Sequence, residues 1–291
     1  MAHIWAISSE ENQLIKIDPA RREVAGRLNV GRQPSSLVAT AGTVWVVAYE
    51  DETLVRVDAT RLEITARIPL PNSPNTLGLD RDGVWVGLQM GQPKAGLVHV
   101  DAVSNQVRIS PDRGWPAGRV GSEFWLYQHR GYDFVPLVAI DPSTGHTADR
   151  FVAFNIGDFA ASGDAVWVTH QGATQPVVIS RLDLTSGDHE EVIAVTHALS
   201  LLVIERDLWF STYTDPGSLG RLDTNTRQLT TFDIPLITNM AALGAEIWMC
   251  TQRRGDTYLL PDTRLLCFDV RAGKLTGAIE CAVPIYKIDI A

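Results

Sequence analysis

The chain has 291 residues, 45% of them hydrophobic, and no stretch approaches the roughly 18 consecutive apolar residues of a membrane span. Its formal net charge is −9 and its Lys and Arg are scattered, which argues against a nucleic-acid or anionic-membrane partner. The opening Met1-Ala-His-Ile-Trp5 lacks a charged start followed by an apolar run, so no secretory signal and a cytoplasmic location are expected.

The first element is an apolar strand around Trp5, and the same element recurs at Trp45, Trp85, Trp125, Trp167, Trp209 and Trp248. Behind each comes a strand ending in Asp: Asp18, Asp58, Asp101, Asp141, Asp183, Asp223 and Asp269. Turn formers follow, as in Asp141-Pro-Ser-Thr-Gly145 and Asp183-Leu-Thr-Ser-Gly187. An Asp at the head of a turn accepts from backbone amides two and three residues on, so these seven aspartates read as structural, not as a metal array. A third strand follows each turn (Glu63–Ile68), and a fourth precedes the next tryptophan (Pro34–Val38, Asn75–Leu79). In blade order these are strand A, before the tryptophan, then B, C and D. No segment sustains a helical period.

Four short strands per repeat make one antiparallel blade, and B strands apolar on both faces demand a neighbour on each side. The predicted fold is an all-β, seven-bladed β-propeller in one domain over 1–291, with repeats near 3–42, 43–82, 83–123, 124–164, 165–207, 208–246 and 247–291. The final run, Pro284–Ile290, reads as the A strand missing from the first repeat, so it should close the ring and C-terminal truncation should be harmful. A monomer is expected. Cys250, Cys267 and Cys281 match no zinc spacing. They read as reduced core residues, with a Cys250–Cys267 cross-strand disulfide as the alternative.

Long, varied D-to-A and B-to-C loops should share the mouth of the central channel, where binding residues collect. Counting four past each B-strand tryptophan reads out Ser9, Tyr49, Gln89, His129, Gln171, Tyr213 and Gln252. The A-strand starts contribute Ser35, Asn75, Trp115, Asp158, His197, Asn239 and Tyr286. His170 and His129 are the candidate bases, with His197 and Tyr213 as further catalytic candidates. Arg130, Arg253, Arg254, Tyr49, Gln171, Trp115, Asn155, Asp158, Asn239 and Tyr286 are candidate substrate-binding groups. For each histidine and arginine the competing reading is an ordinary solvated loop residue. Trp115 reads equally as a stacking platform or a channel plug. His3, His99, His146 and His189 map to the opposite face, mid-strand or the rim and are given no role.

The repeat over residues 74–101, Pro-Asn-Thr-Leu-Gly-Leu…Gly-Val-Trp-Val…Leu-Val-His-Val-Asp, resembles that of the streptogramin B (virginiamycin B) lyase family and of YVTN-type propellers. The resemblance implies elimination across an ester C–O bond of a cyclic depsipeptide, with a histidine base and a divalent metal such as magnesium. Lyase A strands start Pro-His-Gly-Ile; Thr196-His197-Ala-Leu199 is the similar segment here, offset by one residue, and no Glu-x-His metal motif occurs. No metal ligands are assigned. The expectation is a lyase-like enzyme doing non-redox acid–base chemistry on a small or medium natural-product-type molecule at the mouth. The alternative is a non-catalytic propeller that binds a ligand, or a protein partner on the loop face.

Overall fold

The computed structural model describes residues 2–89, 96–128, 136–141, 143–153, 156–171, 177–195, 198, 200–212, 217–254 and 259–291, with backbone alone for Arg253, Arg254 and Leu259. The chain is all-β: seven four-stranded antiparallel sheets stand as the blades of a propeller. Blades are numbered here by their tryptophans, from Trp5 in blade 1 to Trp248 in blade 7. Blade 1 takes its A strand, Lys287–Ile290, from the C-terminal end of the chain and its B strand, Ile4–Ser8, from the N-terminal end. Ile4 pairs with Ile290, Trp5 with Asp289, Ala6 with Ile288 and Ile7 with Lys287. Each sequence repeat therefore runs B-C-D-A and overlaps two blades.

Side chains alternate along each B strand, and the two sets serve different neighbours. Ile4 and Ala6 join a core with Trp248 and Leu265 of blade 7, whereas Trp5 and Ile7 join Leu37, Val44 and Val55 of blade 2. Every comb tryptophan packs forward onto the following blade, and among the described residues the buried hydrophobics form seven clusters. One cluster fills each junction, so no blade owns a core by itself. Cys250, Cys267 and Cys281 are free thiols buried between blades 7 and 1. The reduced-core reading holds, and the Cys250–Cys267 disulfide is absent.

All seven C-to-D turns use their aspartate as expected. Asp18 Oδ1, for example, accepts from Ala20 N at 2.9 Å and Arg21 N at 3.0 Å. Asp58, Asp101, Asp141, Asp183, Asp223 and Asp269 repeat the pair. These amides, preceded at Asp141 by the Ser143 hydroxyl, hold each carboxyl below its ordinary range, because they bond the ionised form. Four residues beyond each Asp the backbone turns left-handed, at Gly145, Gly187 and Gly273 but also at Arg22, Leu62, Asn105 and Arg227.

Candidate functional site

The mouth of the channel is built from strand ends. A cavity of about 490 Å³ opens there between blades 1, 2 and 3, lined by Ser9, Glu10 and Tyr49 from B-strand ends and Gln33, Ser35, Asn75 and Tyr286 from A-strand starts. The residue ring read from the repeat converges here: Ser9, Tyr49, Ser35, Asn75 and Tyr286 share one wall. Tyr49 Oη donates to Gln89 Oε1 at 2.8 Å, and Tyr286 Oη donates to Glu10 Oε1 at 2.8 Å. Partial burial, and then the Glu10 carboxylate, push the Tyr286 phenol up to about 12, so it stays protonated and a donor. Ser9 Oγ donates to the Pro34 carbonyl at 2.6 Å, which ties blade 1 to the A strand of blade 2. Hydroxyls, amides, two aromatic rings and one carboxylate thus face a shared space. Glu10 and Gln33 were missed in sequence because they lie one residue past Ser9 and two residues before Ser35, outside the counted positions.

Below the mouth the channel wall is set by register. Two residues before the partner of each tryptophan, the A strands place Ser36, Thr76, Pro116, Asp158, Ser200, Asn239 and Lys287. Asp158 and Asn239 therefore sit one residue deeper than Tyr286 and Asn75, and both act as stitches between blades. Asn239 Oδ1 accepts from Ile288 N at 2.8 Å, and Asp158 Oδ2 accepts from Leu201 N at 2.8 Å. In each case the donor is the residue after the ring position of the next blade. One tier down, Asp289 Oδ2 accepts from Ala39 N at 2.7 Å in the same way.

Three ionisable groups stand in this half-buried wall and act on one another electrostatically. Desolvation pushes the Asp158 carboxyl up to about 6, against the pull of the Leu201 and Phe159 amides and of Lys287. Desolvation likewise raises Asp289 and lowers Lys287, whose ammonium is favoured by both carboxylates. Lys287 comes from blade 1 and Asp158 from blade 5, so they attract across the axis; Lys287 Nζ also donates to Ser36 Oγ at 3.0 Å. Burial holds the Tyr127 phenol protonated beside Asp158.

His170, the leading candidate base, does not face the mouth cavity. It is 7% exposed and packs on Phe151 of blade 4, with ring centroids 5.4 Å apart. Its Nδ1 lies 3.1 Å from the Gln171 carbonyl and its Nε2 2.7 Å from Ser180 Oγ. A carbonyl only accepts, so Nδ1 carries a proton, and in the neutral ring Nε2 accepts a hydrogen bond donated by the Ser180 hydroxyl. Gln171 stands at the end of the same strand. Trp115 starts the A strand of blade 4 and packs on Gly87 of blade 3, where an added Cβ would lie 3.0 Å from its Cδ1. His129, Arg130, Asn155, His197 and Tyr213 lie outside the described residues, as do the side chains of Arg253 and Arg254.

No known family and no curated protein matches the sequence. Solved structures do match its fold. A functionally unknown protein from Desulfotomaculum acetoxidans aligns over 99% of this chain and 98% of its own, with 13% identity and a TM-score of 0.71. Apo AztD from Citrobacter koseri aligns over 100% of this chain and 97% of its own, with 11% identity and a TM-score of 0.66. A chain of a nidogen/laminin complex aligns over 100% and 98%, with 8% identity and a TM-score of 0.59. At these identities the likeness shows the propeller alone.

Proposed function

We propose that this propeller binds a small, polar, uncharged or cationic molecule in its mouth cavity. The observation that carries the reading is the cavity itself. It is about 490 Å³, a ligand-sized space, and Tyr49, Tyr286, Asn75, Gln33 and Glu10 converge on it from three blades. Donors and acceptors of both kinds sit beside aromatic rings, the combination that orients hydroxyl- or amine-bearing molecules. Glu10 is the charged group of this lining, which disfavours anions.

A second reading keeps acid–base chemistry, as the lyase resemblance implies. It is favoured by the Asp158 carboxyl, held at about 6 in the channel wall below the mouth, where a proton can be exchanged near neutrality. In that reading Asp158 and Tyr127 replace His170 as the proton-handling groups, with His129, His197, Tyr213 and the mouth arginines as its further candidates.

A panel of sugars, polyols, amines and amino acids scored by thermal shift tests the first reading. At least one class should stabilise the protein, and Asn75→Ala with Tyr49→Phe should reduce its affinity by about ten-fold, the worth of one or two polar contacts. A ligand that binds the double variant as tightly as the parent would remove the cavity from consideration. Turnover of that ligand, lost in Asp158→Asn, would decide for the second reading.

A further inference from the structure

We propose a second site, on the face opposite the mouth: Asp80, Asp82 and His99 of blade 3 form a binding site for a first-row divalent cation. Their ligand atoms, two carboxylate oxygens and one imidazole nitrogen, all lie within 4.8 Å of one another. The His99 Nε2 to Asp82 Oδ1 distance is 3.3 Å, the spacing of neighbouring ligands on an ion bound at about 2.1 Å. Asp80 brings the third ligand atom within 4.8 Å of the other two.

The repeat register puts an imidazole, His99, at a position that holds Ala139 and Cys267 in blades 4 and 7 and a long cation in the other four. The C-strand position facing the tryptophan holds Lys16, Arg56, Arg181 and Arg221 in blades 1, 2, 5 and 6. Those long cations do structural work. Lys16 Nζ donates to Ala59 O at 2.7 Å and an Arg56 nitrogen to Ala102 O at 2.8 Å, each reaching into the next blade. His99 is too short to do this. It lies edge-on to Trp85, centroids 4.8 Å apart, is 1% exposed, and its buried Nε2 has Asp82 Oδ1 at 3.3 Å as a charged neighbour but no contact with hydrogen-bond geometry. In blade 5 the same two positions are Asp164 and Arg181, an ordinary ion pair at 3.7 Å. Blade 3 replaces that cation with a neutral-capable imidazole and adds a second acid, Asp80.

The niche is also shaped for the ring. At Gly83 an added Cβ would meet Val100 O at 2.0 Å and His99 Cε1 at 3.0 Å. The same place holds Thr43, Glu123, Ala165, Asp207 or Glu246 in other blades. Asp80 Oδ2 accepts from Trp85 Nε1 at 3.0 Å, which fixes the carboxylate while leaving lone pairs for an ion. Two carboxylates and a neutral imidazole balance a divalent charge. This mixed set suits zinc or manganese better than calcium or magnesium, which favour oxygen alone.

One contact opposes the ion and makes the proposal sharp. Arg108 Nη2 lies 3.3 Å from His99 Nδ1. A guanidinium only donates, so without metal Nδ1 accepts and the imidazole proton sits on Nε2, toward Asp82. Coordination through Nε2 moves that proton to Nδ1, with no net release, and Arg108, an exposed side chain, swings into solvent. Removing Arg108 should therefore tighten metal binding.

Calorimetric titration of the metal-free protein with Zn²⁺ and Mn²⁺ should show one equivalent bound, absent with Mg²⁺ or Ca²⁺ at the same concentration. Asp82→Asn, an exposed change that leaves the core alone, and His99→Ala should each weaken it about ten-fold or more. Arg108→Ala should strengthen it several-fold. Long-range ¹H–¹⁵N spectra should show the His99 proton on Nε2 before Zn²⁺ and on Nδ1 after. Equal affinity in the parent, Asp82→Asn and His99→Ala, or a weaker Arg108→Ala, would overturn the site. So would an unchanged His99 tautomer, or the lack of a bound equivalent in both parent and Arg108→Ala. None of these outcomes bears on the mouth cavity, which lies across the molecule.

Discussion

Asp158 and Asn239 occupy the same rung of two different blades and perform the same task, accepting the next blade's amide. The amide oxygen of Asn239 does so without charge. Asp158 carries a charge into the channel wall, and desolvation raises its carboxyl from 3.8 to about 6. Between those values the folded chain holds a proton that the unfolded chain has released. Linkage then requires stability to fall as pH rises through the window and to stay at the lower level above it. The drop is at most about 3 kcal/mol, from roughly two pK units. Asp158→Asn should flatten it: urea midpoints at pH 4 and pH 7 should move closer together, with little loss at pH 7. An unchanged pH profile would mean that the Leu201 stitch and Lys287 already neutralise the desolvation.

Within an element, the acid at the start of a B strand and the tryptophan two residues on form a local device. Glu123 Oε2 accepts from Trp125 Nε1 at 3.0 Å, and Glu246 Oε2 accepts from Trp248 Nε1 at 3.2 Å. Blade 6 has Asp207 there, one methylene shorter, and it is drawn to Arg221 at 2.7 Å. The Trp209 Nε1 is consequently buried without a partner. Asp207→Glu should reach both groups and raise stability by about 1 kcal/mol, the net worth of satisfying one buried donor. Thermal unfolding of the single variant checks this; a loss of stability would show that the Arg221 pair matters more than the indole.

At the scale of the whole molecule, each junction between blades is one hydrophobic cluster, so blades are stable only in company. The seam of blade 1 joins the two chain ends by the register Ile4–Ile290 to Ile7–Lys287. Lys287 and Asp289 in the closing strand add the Ser36 and Ala39 bonds to blade 2, and Ile288 takes the Asn239 bond from blade 7. Deleting residues 284–291 should expose two junctions at once. It should abolish a single cooperative transition, read as early hydrogen exchange in blades 7, 1 and 2. A circular permutant that joins the ends and opens an outer turn should keep the transition. Comparable unfolding of the truncated and full chains would show that closure is dispensable.

The blade count, the B-strand tryptophans, the seven turn aspartates and the closing strand were legible in the sequence. Each is a local pattern repeated at a fixed period, and repetition supplies the alignment that one copy lacks. The mouth ring was legible for Ser9, Ser35, Tyr49, Asn75 and Tyr286 for the same reason. The placing of Asp158 and Asn239 one residue deeper was not: they stand nine residues before their tryptophans, where Ser35 and Asn75 stand ten. Blades 2, 3 and 7 share one bulge and blade 5 has none, so the depth follows from pairing register, which the apolar pattern alone does not display. Nor could sequence reveal that His170 turns into a blade junction, or that Lys287, Asp158 and Asp289 share the axis. Which side of a strand a residue faces is a matter of local alternation; which distant charge it meets across a closed ring is decided only when the ring closes.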